Sequence, residues 1–226
     1  MRPPANKGDR TIIGISLVLA PVFLLLSTLA LPPLKSDTAA ELAAIGVHHQ
    51  RYYLFILCGM IASILLLPAF LGLMLLTRDR HPVLGMLGGS LALLGTALSL
   101  VDYGSELMKW QAAAGRTPSA QMISLLDRFD GSAGSNLPLQ LSGITVLAGT
   151  VLLAIGLARG GIAPWWIAAA LVAGMFLSLA GFAFSNNAVL DAGSALLIIS
   201  MGWIGVRTLT TGQHAATSLA PTPASG

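Results

Sequence analysis

The chain has 226 residues, of which 55% are hydrophobic and only 9% are charged, whereas a soluble globular domain carries about 25% charged residues. Twelve Lys and Arg and nine Asp and Glu give a net charge of +3, which is too few charges for a water-soluble surface or for intrinsic disorder. No basic cluster is dense enough to follow a phosphate backbone, so we expect no nucleic-acid partner. The composition predicts an integral membrane protein whose first partner is the lipid bilayer.

Six segments reach the roughly 20 apolar residues that a membrane-spanning helix needs. We therefore predict an all-α fold: a polytopic transmembrane bundle of six helices, which occupies residues 12–209. The predicted spans are residues 12–32, 54–76, 83–103, 138–158, 164–184 and 189–209. Proline suits the first turn of a helix and asparagine suits the N-cap. The predicted helix starts carry Pro82, Pro138 and Pro164 in the first turn, and Asn136 and either Asn186 or Asn187 as N-caps.

The first span follows a basic N-terminal segment, residues 1–11, which contains Arg2, Lys7 and Arg10. Such a start is also typical of a signal peptide, and residues 27–30 loosely resemble a cleavage site. However, the apolar run of about 20 residues exceeds the 7–15 of a signal peptide. We expect an uncleaved anchor.

Positive charges predict the orientation of the spans, because short cytoplasmic loops are enriched in Lys and Arg. With the N-terminus inside, the inner side carries Arg2, Lys7, Arg10, Arg78, Arg80, Arg159 and Arg207. The outer side carries Lys35, Arg51, Lys109, Arg116 and Arg128. We expect a multi-pass protein of the cell membrane with both its N-terminus and its C-terminus in the cytoplasm. Residues 210–226 are polar and are predicted to form a disordered cytoplasmic tail.

Each of two outer loops is predicted to contain a short amphipathic helix. In the first loop, Thr38 and Glu41 match a T-x-x-E capping box. In the second, residues 104–137, an apolar stripe contains Met122, Leu125, Leu126 and Phe129. An amphipathic helix beside a bilayer most often lies flat in the interface, and we favour this arrangement over a lid that folds across the bundle.

Aromatic residues fall near both ends of the predicted spans. Because amphipathic rings prefer the membrane interfaces, we interpret these residues as membrane anchors. They are Trp165, Trp166 and Trp203 on the inner side, and Tyr52, Tyr53, Tyr103 and Trp110 on the outer side.

Ionisable residues at membrane depth indicate function, and here they gather at the outer ends of the spans. The candidate catalytic residues are Asp102, Glu106, Asp191 and His49, and the candidate ligand-binding residues are Gln140, Asn187, Arg51 and Tyr103. Asp102 falls in the last turn of the third predicted span, where a carboxylate opposes the helix dipole. Glu106 adds a like charge on the same face, so a proton or a cation would relieve the arrangement, and either carboxyl is a candidate general acid.

Structural roles compete with each of these hypotheses. Glu106 can pair with Lys109 three residues later, and the helix dipole favours Asp191 near the start of the last span. His49, Asp102, Glu106 and Asp191 have side chains of the kinds that bind metal ions, but their spacing in the sequence matches no known metal-binding motif. We therefore expect neither a metal nor a cofactor.

Three segments resemble bacterial families of uncharacterised six-helix membrane proteins. They are the basic N-terminus before TIIGISLVLAPVFLLL, the outer segment SDTAAELAAIGVHHQRYYL, and LGLMLLTRDRHPVLGMLGGSLALLG. The resemblance extends over most of the chain in hydropathy and loop order. It implies a six-helix membrane fold and brings no activity.

Three functional hypotheses remain open. The first is a membrane protein with an acidic polar mouth at the outer helix ends, which binds a small or lipidic ligand, such as an apolar small molecule, or a partner. The second is an intramembrane enzyme that uses an acidic residue as general acid on an apolar substrate. It would be similar to the small terpene cyclases, although those have seven spans and more aromatic residues. The third, a small transporter, is disfavoured because no 3+3 inverted repeat and no chain of ion pairs occurs within the spans. The oligomeric state is left open.

Overall fold

The computed structural model describes residues 7–33, 37–114 and 120–217. Over these residues it contains eight α-helices and no strand. They are α1 (Lys7–Ala30), α2 (Thr38–Val47), α3 (His49–Arg78), α4 (Pro82–Ala112), α5 (Ala120–Gly131), α6 (Ala133–Arg159), α7 (Trp165–Ala183) and α8 (Asn187–Thr217). Six of them, all except α2 and α5, are long and apolar enough to cross a membrane. The predicted all-α bundle of six spans, with two short helices in its connections, is confirmed.

The six long helices form a ring in the order α1, α3, α4, α6, α7 and α8, with α8 packed again on α1. The contact between α4 and α6 is very close, because a Cβ atom at Gly149 would overlap the backbone of Ala92. The contact between α6 and α7 is much less extensive than the contacts elsewhere in the ring. The ring is therefore tight along most of its circumference and loose between α6 and α7.

The surface of the ring is apolar. Within the most apolar part of each span, only 33–44% of the residues are buried inside the structure. Large side chains such as Leu94, Ile144 and Ile199 point outward and are more than half exposed. An apolar surface of this extent requires a lipid environment, so the chain is a multi-pass membrane protein.

The two ends of the ring differ. At the capped end, defined here as the end where α1, α4 and α7 stop and α3, α6 and α8 begin, the short helices α2 and α5 pack over the bundle. Leu42 and Ile45 of α2 and Leu126 of α5 are buried in one cluster with residues of α1, α3, α4 and α8. The opposite end, the arginine end, has only short turns and carries Arg10, Arg78, Arg80, Arg159 and Arg207.

The start of α2 differs from the prediction. Asp37 is the N-cap, and its side chain accepts a hydrogen bond from the backbone N–H of Ala40 at 2.9 Å. Thr38 is the first helical residue, so the predicted capping box of Thr38 and Glu41 is wrong. Glu41 instead turns toward Lys109 of α4.

Several helices extend beyond the predicted spans. Because α4 continues to Ala112, Asp102 does not lie in the last turn of its helix, and the expected conflict with the helix dipole is wrong. At its other end, α6 begins at Ala133, so Asn136 and Pro138 lie inside the helix rather than at its start. The last helix runs to Thr217, so residues 210–217 of the predicted disordered tail are helical, and residues 218–226 lie outside the described part of the chain.

Two other helix starts agree with the prediction, whereas Pro164, predicted in the first turn of its helix, is the N-cap of α7. Pro82 occupies the first turn of α4. Asn186 caps α8, because its Oδ1 accepts hydrogen bonds from the N–H groups of Ala188 at 3.1 Å and Val189 at 3.3 Å. These helix starts can be predicted from the sequence, because a proline ring and an N-cap side chain act within one helical turn.

The amphipathic helix α5 combines features of both arrangements considered from the sequence. Leu126 is buried against the capped end, as in a lid. Met122, Leu125 and Phe129 are exposed, as in a helix that lies in the membrane interface. One side of α5 therefore closes the bundle, while the other presents an apolar surface.

Candidate functional site

A polar network at the capped end joins α2, α3 and α4. The Tyr52 hydroxyl donates a hydrogen bond to Oε2 of Glu106. The Lys109 ammonium lies 3.6 Å from Oε1 of Glu106 and 3.4 Å from Oε1 of Glu41. The side chains of Lys109 and Glu106 are only 14% and 17% exposed. One ammonium is thus shared by two carboxylates in a largely desolvated place, where each charge needs its partner.

Next to this network, Trp110 of α4 packs on the start of α3. Its ring is stacked on His49, with centroids 4.6 Å apart and an interplanar angle of 17°. Its Nε1–H donates to the backbone carbonyl of His49 at 3.1 Å, and Tyr53 packs against the same indole. Nδ1 of His49 is buried and has no hydrogen-bond partner among the described residues. His49 therefore has a fixed ring and an unused polar atom.

Tyr103 crosses from α4 over α3 toward α1. A Cβ atom at Gly59 would overlap its ring, so only glycine leaves room for it. The Tyr103 hydroxyl lies close to the Ser27 hydroxyl of α1, and Ser27 itself donates to the carbonyl of Phe55 at 2.8 Å. Tyr103 thus contacts three helices at once. The carboxylate of Asp102, one residue earlier, is partly buried and close enough to act electrostatically on the hydroxyls of Tyr52 and Tyr103.

Asp191 and Asn187 belong to a second contact, between α1 and α8. The buried Thr28 hydroxyl donates to Oδ1 of Asp191 at 2.7 Å. The Asn187 amide donates to the carbonyl of Leu31 at 3.3 Å, and so satisfies a backbone group at the end of α1. Thr28 and Ser27 are adjacent and point about 100° apart on α1, so Asp191 lies on another side of α1 from the Tyr103 contact.

Arg51 and Gln140 lie outside both contacts. Arg51 is exposed, and its Nη2 donates to the carbonyl of Leu29 at 2.7 Å. Gln140 is exposed near the start of α6. The structure thus separates the eight candidate residues. His49, Asp102, Tyr103 and Glu106 gather between α3 and α4, Asp191 and Asn187 join α8 to α1, and Arg51 and Gln140 lie at the surface.

A shallow pocket of about 470 Å³, wide open to the surroundings, lies where α2 meets α3. His48 forms the junction between the two helices, being the C-cap of α2 and the N-cap of α3. Polar and apolar groups line the same pocket: Val47, His48, His49, Gln50, Arg51 and Leu54. Val47 and Leu54 are 78% and 51% exposed. The pocket therefore offers hydrogen-bond donors and positive charge next to uncovered apolar surface.

The metal site considered from the sequence does not assemble. Among the described residues, no group of three or more His, Cys, Asp or Glu side chains is placed to hold a metal ion. The reason is visible in the contacts. Asp191 bonds Thr28 of α1, while Glu106 bonds Tyr52 of α3.

Sequence reasoning missed several residues of the capped end. Tyr52 and Trp110 were interpreted as membrane anchors, but Tyr52 is buried and Trp110 packs on His49. The Glu106–Lys109 pair could be predicted, because residues three apart on a helix are neighbours. The contact of Lys109 with Glu41 joins residues 68 positions apart, and no local pattern indicates it.

No family model matches the chain, and neither a curated protein nor a solved structure matches it. What the protein does is therefore inferred from its own geometry.

Proposed function

We propose that this multi-pass membrane protein is a binding protein and not an enzyme, and that it binds an anionic amphiphile at the junction of α2 and α3. The observation that carries the proposal is the pocket of about 470 Å³, in which His49 and Arg51 lie beside the exposed side chains of Val47 and Leu54. A carboxylate or phosphate with an apolar chain matches this combination of charge and apolar surface. Fatty acids and lysophospholipids are such molecules.

Each polar group of the pocket has a defined role in this proposal. The guanidinium of Arg51, held against α1 by the carbonyl of Leu29, supplies the positive charge. His49 contributes to the wall of the pocket, and Trp110 fixes its imidazole ring. A fixed ring costs less conformational entropy on binding than a mobile one.

The acidic residues have structural roles in this proposal. Glu106 is engaged by Tyr52 and Lys109, and Asp191 by Thr28. A general acid must face the atom that it protonates, yet neither the pocket at the α2–α3 junction nor the groove between α6 and α7 is lined by a carboxylate. These contacts favour carboxylates that stabilise the bundle over carboxylates that protonate a substrate. Tyr103 and Asn187 are proposed to hold helices together as well, and nothing in the described structure assigns a role to Gln140.

We further propose that the protein lies in the cell membrane with both termini in the cytoplasm, which places the capped end outside. The support is the arginine end, whose short turns carry Arg78, Arg80 and Arg159, because cytoplasmic loops are enriched in basic residues. Two kinds of reporter enzyme can be fused after Gly226: one that is active only in the cytoplasm and one that is active only outside it. We expect activity from the cytoplasmic reporter alone. Activity of a reporter that requires the outside would reverse this orientation.

Oleate, a fatty-acid anion, is the probe for the binding proposal. In a variant that carries Trp165→Phe, Trp166→Phe and Trp203→Phe, Trp110 is the single indole, and it touches His49. We expect oleate to change the Trp110 fluorescence saturably in the full-length protein, and the neutral oleyl alcohol to bind at least fivefold more weakly.

Arg51→Gln should weaken oleate binding about fivefold, since a charged contact of this kind contributes on the order of 1 kcal/mol. The matched control is Arg128→Gln, which removes an exposed arginine of α5 at the same end and should leave binding unchanged. Equal binding of oleate and oleyl alcohol, or equal effects of the two arginine substitutions, would contradict the proposal.

A further inference from the structure

The loose contact between α6 and α7 forms a groove of about 550 Å³ on the outer surface of the ring. Its walls are apolar side chains, from Leu147 to Ala158 of α6 and from Ala168 to Phe176 of α7. From Leu147 to Ala158 the groove runs about 16 Å along α6, at 1.5 Å per residue. This length equals about half of the 30 Å hydrocarbon core of a bilayer, which is the depth of one leaflet.

The groove ends in polar and aromatic residues at the arginine end. Arg159 follows Ile155 by one helical turn and is exposed. On the facing helix, Trp165 precedes Ala169 by one turn and is 77% exposed. Residues four apart lie on the same side of a helix, so an arginine and a tryptophan continue the two walls of the groove. The apolar groove thus matches the acyl chain of a lipid, and the tryptophan and arginine at its end match the headgroup region.

Two further arginines converge on the turn that joins α6 to α7. Nη1 of Arg207 donates to the carbonyl of Ile162 at 3.2 Å, and its guanidinium lies 5.1 Å from the centre of the Trp203 ring. Arg80, from the turn between α3 and α4, packs against Gly160. A Cβ atom added to Gly160 would lie 3.2 Å from the Cβ atom of Arg80. The acidic residue of that neighbouring turn is Asp79, which is exposed. The turn between α6 and α7 is therefore surrounded by a net positive charge from α6, from α8 and from the turn between α3 and α4.

We infer that the groove between α6 and α7 binds an anionic phospholipid, with one acyl chain along the apolar walls and the phosphate beside Arg159, Arg207 and Arg80. Basic pockets between membrane helices on the cytoplasmic side suit anionic headgroups. A second copy of the chain is a poorer occupant. A two-fold contact through this face would bring the arginines of one copy against those of the other, since both copies have the same orientation in the membrane. This site lies at the other end of the bundle from the proposed oleate pocket and is independent of it.

The experiment uses the full-length protein in vesicles of phosphatidylcholine that contain a minor fraction of one brominated lipid. Bromine on an acyl chain quenches indole fluorescence on contact. In a Trp110→Phe variant the remaining indoles are Trp165, Trp166 and Trp203, all at the arginine end. We expect brominated phosphatidylglycerol to reach half of its maximal quenching at a several-fold lower fraction than brominated phosphatidylcholine.

Two substitutions with matched controls test the charge and the groove separately. Arg159→Gln should reduce the preference for phosphatidylglycerol about fivefold, whereas Arg10→Gln, an exposed arginine of α1 at the same end, should not change it. Ala173→Phe, which fills the groove, should also reduce the preference. Ala97→Phe, at an exposed alanine of α4 away from the groove, should not.

Three results would overturn the inference. The first is equal quenching by the two brominated lipids. The second is an equal effect of Arg159→Gln and Arg10→Gln, which would indicate only a general attraction of a basic surface to anionic lipid. The third is a disulfide-linked dimer formed by Ala173→Cys in a Cys58→Ala background, which would show that a second copy occupies the groove.

Discussion

At the capped end, side chains from α2, α3 and α4 form one network of ion pairs, hydrogen bonds and stacked rings. At the arginine end, the same long helices are joined by short turns, and exposed arginines border an apolar groove. The difference follows from the length of the connections. A long connection can form a helix that buries its own apolar residues and supplies a charged partner to a neighbouring helix, as α2 does when Glu41 pairs with Lys109. The connections at the arginine end are turns of a few residues, and Arg80, Arg159 and Arg207 around them are exposed at the surface.

The strongest test of this difference is a substitution in the tight packing near the capped end. Gly59→Leu would force a side chain into the space of the Tyr103 ring, and overpacking of this kind costs about 1–3 kcal/mol. Its counterpart is Gly202→Leu in α8, where nothing lies within 4 Å of the added Cβ atom. Thermal unfolding of the purified proteins should show a clear loss for Gly59→Leu and none for Gly202→Leu. Equal unfolding temperatures would mean that Tyr103 does not fill this space.

A smaller effect is expected at the contact of α1 with α8. Thr28→Val removes the hydroxyl that donates to Asp191, and a hydrogen bond between membrane helices contributes on the order of 1 kcal/mol. Thr210→Val is the control near the arginine end, because that hydroxyl donates only within α8, to Val206 and Arg207. Unfolding in increasing denaturant should separate the two variants. If Thr210→Val lowered the stability as much as Thr28→Val, the hydrogen bond between Thr28 and Asp191 would not be what stabilises the contact of α1 with α8.

The smallest effect concerns the start of α2 and distinguishes the structure from the sequence pattern. Asp37→Ala removes the N-cap hydrogen bond to Ala40 and should make the amide hydrogens of the first turn exchange about fivefold faster. Thr38→Ala should leave the exchange rates unchanged, because Thr38 is already inside the helix. If Thr38→Ala had the larger effect, the capping box predicted from the sequence would be the correct description.

The sequence predicted the spans well and the helix ends poorly. Twenty apolar residues identify a membrane span whatever its neighbours are. The polar continuation of α4 beyond Tyr103, residues 104–112, has no such signature, so Asp102 was placed in a last turn that does not exist. The same continuation positions Glu106, Lys109 and Trp110, and so the polar network could not be derived from the predicted spans.

The candidate residues lie at the capped end of the bundle, because the polar groups of a membrane protein collect where its helices leave the lipid. Their division into separate contacts depends on which helices are neighbours. Hydropathy does not indicate that α1 lies between α3 and α8. Because α8 packs on α1, Asp191 contacts Thr28 rather than Glu106. The groove was also missed, because it arises from the spacing of α6 and α7 and not from the composition of either helix.

At the capped end, Glu106 and Asp191 are proposed to stabilise the bundle, while Arg51 is proposed to bind the ligand. The most direct test of these proposals is to measure stability and oleate affinity together in Glu106→Gln and Arg51→Gln. We predict that Glu106→Gln lowers the free energy of unfolding by roughly 1–2 kcal/mol, because Lys109 and Tyr52 lose a charged partner, and leaves oleate affinity unchanged. Arg51→Gln should leave the free energy of unfolding unchanged and weaken oleate binding about fivefold. A Glu106→Gln protein of normal stability that no longer bound oleate would contradict the account.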